Sequence, residues 1–99
     1  MQLSIPHKFT QLQAITHVKK ALNHARSKLA LHVSDMKEEW QGSVLHFAFT
    51  AQKQHISGTM EVRDRSFEID AKLPLMLRIF EGRIKKQIEE QVKEVFGQS

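Results

Sequence analysis

The chain has 99 residues, of which 40% are hydrophobic and 26% are charged, and it carries a net charge of +4 and no cysteine. This length and composition predict one globular domain spanning residues 1–99. The lack of cysteine excludes a disulfide scaffold, thiolate metal ligands and cysteine catalysis. No apolar run approaches the roughly 20 residues of a membrane span, and residues 1–9 lack the apolar segment of a signal peptide, so we expect a cytoplasmic protein.

The positive charge is concentrated in the first third of the chain. Residues 1–34 contain five basic residues and no acidic one, whereas residues 35–99 have a net charge of −1. A segment of this kind is suited either to facing an anionic partner or to forming a solvated helix face.

The first elements in the chain are predicted to be a short strand and a long helix. Leu3 and Ile5 alternate with polar residues, and Pro6 confines such a strand to the edge or the end of a sheet. The spacing of Thr10 and Gln13 matches a capping box. Apolar residues then recur every three or four positions, which predicts an amphipathic helix over about residues 11–31. These residues are Leu12, Ile15, Val18, Leu22, Ala25 and Leu29.

The middle of the chain changes from a period of 3.6 to a period of two. Segments 44–49, 56–63 and 67–73 alternate apolar and polar residues, which predicts three strands with one apolar face each. Short polar turns separate them. The apolar face carries Leu45, Phe47, Met60, Val62, Phe67 and Ile69.

A further strand is expected over about residues 33–40. With Gly42 and Ser43 as a two-residue loop, Trp40 lies opposite Leu45, so we interpret the indole as part of the core. The same register places Met36 opposite Phe49 and Glu38 opposite Phe47. Because an inward carboxylate is costly, we expect this strand to twist or to have an irregular register there.

The last predicted element is a helix over about residues 75–96, which starts after Pro74 and stops at Gly97. The element order is therefore β-α-β-β-β-β-α. Hairpin-length turns imply an α+β fold of two layers, in which an antiparallel sheet of four to five strands carries both helices on its one apolar face.

The sequence contains no recognisable catalytic or metal-binding arrangement. It has no Gly-rich phosphate loop and no GxSxG motif. Ser43, His46 and Asp70 supply the residue types of a triad without any diagnostic spacing, so we predict that the protein is not an enzyme. His17 and His24 lie two helical turns apart, roughly 10.5 Å, which is too far for one ion. We expect neither a metal nor a cofactor.

A second class of function is nucleic-acid binding. The isoelectric point of about 9.6 and the basic helix face are typical of such proteins. The outer strand faces, however, offer no pair of aromatic residues, and Glu61, Glu68 and Asp70 would repel phosphate. A basic nucleic-acid- or regulator-binding module therefore stands as an alternative, as does a carrier of a small apolar ligand held between the helices and the sheet.

Two groups of residues are candidates for binding a partner surface. The first consists of apolar residues at the start of the last helix, which extend around more of the helix than a core stripe through Leu77 and Phe80 requires. The second is the basic face of the first helix. The candidate residues are Leu75, Met76, Ile79, Lys20, His24 and Lys28.

The motifs of this chain, in their order and spacing, resemble those of a family, the small bacterial polyhydroxyalkanoic acid system proteins. The resemblance rests on Trp40-x-Gly42, Leu45-x-Phe47, Gly58-x-Met60-x-Val62, Phe67-x-Ile69-x-Ala71-x-Leu73 and a terminal helix with Ile84 and Ile88. It covers nearly the whole chain from the Ile5-Pro6-His7 segment onward. Ser43 stands where the family pattern leads us to expect an acid.

The resemblance implies a part in bacterial polyester storage. It implies an accessory protein that acts at the granule surface or on a granule protein, and it implies no catalytic residue. The chain lacks the long helical oligomerisation pattern of the main granule-coating phasins. An exposed apolar patch is physically suited to the surface of an apolar polymer.

Overall fold

A computed structural model describes residues 1–29 and 33–96, together with the side chains in these ranges except those at positions 25, 27–29 and 94–96. The strands are β1 (Gln2–Pro6), β2 (Val33–Gln41), β3 (Val44–Ala51), β4 (Gln54–Arg63) and β5 (Ser66–Lys72). The helices are α1 (Gln11–Leu29), α2 (Leu75–Arg78) and α3 (Glu81–Phe96). The predicted α+β class and the order of strands and helices are confirmed. The last residues of the predicted first helix, 30 and 31, and the predicted stop of the last helix at Gly97 lie outside the described residues.

The five strands form one antiparallel sheet in the order β1-β5-β4-β3-β2. β1 is an edge strand, in which Pro6 pairs with Ser66. This position suits a proline, which has no N–H to donate to a second neighbour. Strands β2 to β5 follow each other as hairpins, as expected from their short connections.

One face of the sheet carries the core. Ile5, Val62 and Phe67 occupy one row across β1, β5 and β4 and are buried together with Ala14 and Val18 of α1. Ile88 and Val92 of α3 pack against the same cluster. Both helices therefore cover the predicted apolar face.

The start of α1 is held by its own capping box and by the β4–β5 turn. The backbone N–H of Thr10 donates to Gln13 Oε1 at 3.2 Å, and the N–H of Gln13 donates to Thr10 Oγ1 at 3.3 Å, which confirms the predicted capping box. Asp64 Oδ1 accepts the N–H of Gln11 at 2.7 Å. An anion at this position also interacts favourably with the helix dipole.

The prediction that Leu12 belongs to the buried apolar stripe of α1 is wrong. Leu12 is 77% exposed, whereas Ala14 is fully buried. The side-chain amide of Gln11 donates to the carbonyl of Val62 at 2.9 Å, and the small Ala14 lets the helix approach the sheet beside Val62. The buried face of α1 therefore runs through Ala14 and Val18, and Leu12 points away from it.

The irregularity expected in β2 is present. The register shifts between Ser34 and Lys37, and Asp35 has a φ of 53°. Two residues, Asp35 and Met36, stand against Phe49 alone, which is a β-bulge rather than the simple Met36–Phe49 pair. Beyond the bulge the predicted pairing holds, with Glu38 opposite Phe47 and Trp40 opposite Leu45.

The inward carboxylate of Glu38 has a partner on the helix layer. Arg26 of α1 donates to Glu38 Oε1 at 3.0 Å. Lys19, two turns earlier, lies 5.2 Å from the centre of the Trp40 ring, and Trp40 packs against the core cluster as predicted. Two basic side chains of α1 thus tie this helix to the β2 edge.

The prediction of one continuous terminal helix over residues 75–96 is wrong. α2 ends at Arg78 and α3 begins at Glu81. The N–H of Phe80 bonds to the carbonyl of Leu77 at 3.0 Å, a tightened turn, and the carbonyl of Phe80 then accepts the N–H of Ile84 at 2.9 Å. Because of this break, the apolar residues of α3 pack on the core independently of α2. Gly82 lies in the first turn of α3.

Candidate functional site

The apolar residues proposed at the start of the terminal helix form an exposed surface. Leu75 is 77% exposed, Met76 70% and Ile79 80%. Phe80, which the helical periodicity assigns to the core, is 46% exposed, because the helix breaks just before it. We call these four residues the α2 patch.

The α2 patch lies at the end of the sheet where β5 finishes and β4 begins. Lys72 at the end of β5 pairs with Ser57 of β4, and Pro74 follows with its carbonyl bonded to the N–H of Leu77 at 2.9 Å. Met76 Sδ lies 3.9 Å from Gln54 Nε2 at the start of β4. The α2 patch therefore lies on and just after a single helical turn, which contacts the end of the sheet.

The basic candidates lie on a different element. Lys20 and His24 are exposed on α1, and the side chain of Lys28 lies outside the described residues. Their neighbours Lys19 and Arg26 are engaged with the β2 edge. The basic face and the α2 patch are thus two separate surfaces.

A cavity of about 420 Å³ lies between the inner face of the sheet and the two long helices. Its lining is almost entirely apolar. α1 contributes Val18 and Leu22, α3 contributes Ile84 and Ile88, and the sheet contributes residues that include Phe47 and Met60. The sequence predicts several of these residues, including Phe47 and Met60, as core and assigns none of them to an apolar-ligand site.

Two small residues lie beside Phe47 in the middle of the sheet. Gly58 of β4 pairs with Phe47 on one side and with Ala71 on the other. Ala71 lines the cavity, whereas the ring of Phe47 lies over Gly58, where an added Cβ would meet it at 3.0 Å. Phe47 itself is only half-buried. No local sequence pattern indicates the cavity, because its lining residues come from α1, α3 and strands β2 to β5.

The residues considered for a catalytic triad lie on the outer face of the sheet. His46 pairs with Thr59, and Thr59 pairs with Asp70. Neighbouring strands are about 4.8 Å apart, so the backbones of His46 and Asp70 are separated by roughly 10 Å. Ser43 belongs to the β2–β3 turn, where its carbonyl accepts the N–H of Val62. This arrangement does not match a nucleophile–base–acid relay.

Two acidic side chains on the outer face, Glu61 and Glu68, are paired with polar or basic neighbours. Ser4 Oγ donates to Glu68 Oε2 at 2.6 Å, and this bond is the main reason why the pKa of Glu68 lies below its ordinary value. Glu61 pairs with Arg63 at 2.8 Å. Within the part of the chain that the structure describes, no cluster of three or more histidine, aspartate or glutamate residues is arranged to hold a metal ion.

The described helices do not include one with the length and hydropathy required to span a membrane.

Comparison with known proteins agrees with the resemblance seen in the sequence. The model of one protein family, described as "Putative polyhydroxyalkanoic acid system protein", matches residues 1–96. The chain matches no curated protein and no solved structure. Because the match extends over nearly all of its length, the chain belongs to the polyhydroxyalkanoic acid system family.

Proposed function

We propose that this protein is a non-catalytic accessory protein of bacterial polyhydroxyalkanoate storage that binds the granule surface, or a protein on it, through the α2 patch. The observation that carries the proposal is the exposure of four large apolar side chains on one short segment. Membership of the polyhydroxyalkanoic acid system family supplies the context of polyester storage.

The α2 patch has physical properties suited to an apolar, irregular target. Fully burying one large apolar side chain is worth about 1.5–3 kcal/mol, so the four side chains together can support reversible adhesion. Met76 adds a flexible, polarizable group that adapts to an uneven surface. The polar residues Gln54 and Arg78 border the patch, and apolar patches bordered by polar residues are typical of interaction sites.

The basic face of α1 would give a weaker, longer-range attraction. Lys20 and His24 are exposed, and a granule boundary that carries anionic groups would attract them. Such an attraction is screened beyond about 8 Å at physiological salt. It would assist an encounter, whereas the α2 patch provides the short-range binding.

The non-catalytic part of the proposal is supported by the separation of the candidate polar residues. His46 and Asp70 are two strands apart, and the sequence offers no motif that would supply another nucleophile. Single substitutions of Ser43, His46 and Asp70 should therefore leave granule amount and composition in cells unchanged. Hydroxyacyl ester hydrolysis by the purified protein that disappears on one of these substitutions would contradict this part.

The binding part is tested with the double variant Met76→Asp, Ile79→Asp. Because both side chains are exposed, the variant should keep the circular-dichroism spectrum and thermal midpoint of the parent, while its co-sedimentation with isolated granules falls at least fivefold. Leu12→Asp is the matched control, since Leu12 is equally exposed on α1, and it should bind like the parent.

The same variants separate the two forms of the target. Binding to protein-free polymer particles indicates the polyester surface itself, and binding only to native granules indicates a granule protein. A folded double variant that still co-sediments like the parent would place the binding surface elsewhere, and loss of binding in Leu12→Asp alone would point to α1.

A further inference from the structure

We infer that the cavity between the sheet and helices α1 and α3 is a binding site for one linear alkyl chain, such as the side chain of a hydroxyalkanoic acid or its ester. This site is distinct from the α2 patch, and its occupancy does not depend on granule binding. Family membership suggests only the chemical class of the ligand, because hydroxyalkanoic acids are the units of the polymer that gives the family its name.

The size of the cavity favours a ligand over a packing defect. Native interiors are close-packed and have few voids larger than a water molecule. A volume of about 420 Å³ falls within the 300–1,000 Å³ that is typical of small-molecule pockets. An apolar cavity of about 150 Å³ is already large enough to bind benzene.

The lining favours an apolar, flexible chain. Phe47, Phe49, Ile56 and Met60 face the cavity from the sheet, and apolar walls of this kind offer no compensation for a buried polar group. A rigid polar ligand would therefore lose hydrogen bonds to water on entry. The flexible methionine side chain adjusts to chains of different length.

The β2 edge indicates where the polar end of the ligand lies. Three charged groups belong to residues that line the cavity: the side chains of Lys37 and Glu38, and the ammonium group of Met1, which pairs with Glu81 at 3.4 Å. Glu38 is already paired with Arg26, and Lys37 pairs with Ala48 and is exposed on the outer face of the sheet. Neither side chain is therefore available to a ligand, and the polar end of the ligand would lie in solvent at this edge, with the alkyl chain directed inward.

The irregular β2 strand makes this edge the natural entrance. The bulge at Asp35 and Met36 interrupts the ladder with β3, and Met36 lines the cavity. A bulge on an edge strand has fewer hydrogen bonds to break when the wall moves. Entry at this edge leaves the buried cluster around Val62 undisturbed.

The test is calorimetric titration of the full chain with saturated fatty acids of increasing length and with 3-hydroxydecanoic acid. Each additional methylene should raise affinity about threefold to fourfold, which corresponds to about 0.8 kcal/mol per buried methylene, until the cavity is filled. The methyl esters test the position of the polar end, and each should bind within about fivefold of its acid because that end stays in solvent.

A cavity-filling variant provides the decisive comparison. Ile56→Trp places an indole in the cavity and should lower affinity at least tenfold, whereas His55→Trp, its exposed neighbour on the outer face, should bind like the parent. Met36→Trp fills the same cavity from β2 and replaces Ile56→Trp if that variant does not fold. Unchanged affinity in a folded filling variant would overturn the inference.

Two further outcomes are equally clear. No binding of any acid or ester up to its solubility limit, or an affinity independent of chain length, would show that the cavity holds no alkyl chain. The Met76→Asp, Ile79→Asp variant should retain the parent's affinity for decanoic acid. Failure of granule binding and failure of chain binding are therefore distinguishable.

Discussion

The ring of Phe47 lies across Gly58 on the neighbouring strand. A Cβ added at Gly58 would come within 3.0 Å of Phe47 Cζ and within 2.7 Å of Ala71 Cα. The second contact is with backbone, which cannot move away without disturbing the β4–β5 ladder. The absence of a side chain here is therefore required by strand packing and by the position of the Phe47 ring.

The first prediction compares two glycines. Gly58→Ala should lower the free energy of unfolding by about 1–3 kcal/mol, the usual cost of overpacking. Gly82→Ala should raise it by up to about 1 kcal/mol, because a Cβ at Gly82 meets nothing within 4 Å and alanine favours the helix. Urea denaturation measures both. Equal effects of the two substitutions would contradict the packing at Gly58.

The second prediction concerns His7, which is only 8% exposed. Its Nδ1 accepts the N–H of Phe9 at 3.0 Å, so Nε2 carries the proton and donates to the carbonyl of Arg63 at 2.8 Å. The ring also lies 4.5 Å from that of Phe67. The imidazole thus joins the end of β1 to the end of β4.

His7→Phe keeps a ring beside Phe67 but leaves both hydrogen-bonding groups without their partner. We expect a loss of about 1–3 kcal/mol in unfolding free energy. His46→Phe, at an exposed position of the outer face, is the control and should change stability by less than about 0.5 kcal/mol. Thermal unfolding at neutral pH compares them, and a His7 variant as stable as the control would refute this role.

The third prediction is a pH dependence. The hydrogen bond from Ser4 is the largest cause that lowers the pKa of Glu68, with Ser66 and Arg63 acting in the same direction and desolvation opposing them. Because the folded-state pKa is the lower one, the bond contributes stability above the unfolded-state pKa of about 4.5 and loses it as pH falls through the folded-state pKa.

Ser4→Ala should therefore raise the pKa of Glu68 towards its ordinary value, as measured by NMR titration of the side-chain carboxyl. The parent should be more stable than the variant at neutral pH, and this difference should shrink in acid. Gln2→Ala, on the same exposed face of β1, should leave the Glu68 titration unchanged. A difference in unfolding free energy between the parent and Ser4→Ala that grows in acid would contradict this role of the Ser4–Glu68 hydrogen bond.

The fourth prediction concerns charge at the granule. Lys20→Glu with Lys28→Glu should reduce granule association less than the double aspartate variant of the α2 patch, and mainly at low salt, because exposed charges are screened within about 8 Å at physiological ionic strength. Lys86→Glu with Lys93→Glu, exposed positions on α3, changes net charge equally. Equal losses in both charge variants would indicate a net-charge effect rather than a basic α1 surface.

Local sequence patterns predict much of the secondary structure and strand pairing of this protein. Strand alternation, the Thr10–Gln13 capping box and the two-residue turn after Gln41 each depend on residues close together in sequence. For that reason the element order, the pairing of Trp40 with Leu45 and the irregular β2 register were all predicted correctly. Family membership was also evident, since it rests on the order of these same segments.

Contacts between distant segments decided the rest. Leu12 is exposed because Gln11 and Ala14 are placed by β4 and the β4–β5 turn, and the terminal helix breaks before Phe80 because α3 has to follow the core while α2 stays at the rim. Helical periodicity describes one helix in isolation and contains neither constraint. The cavity likewise forms only where residues of α1, α3 and strands β2 to β5, remote from each other in the chain, come together.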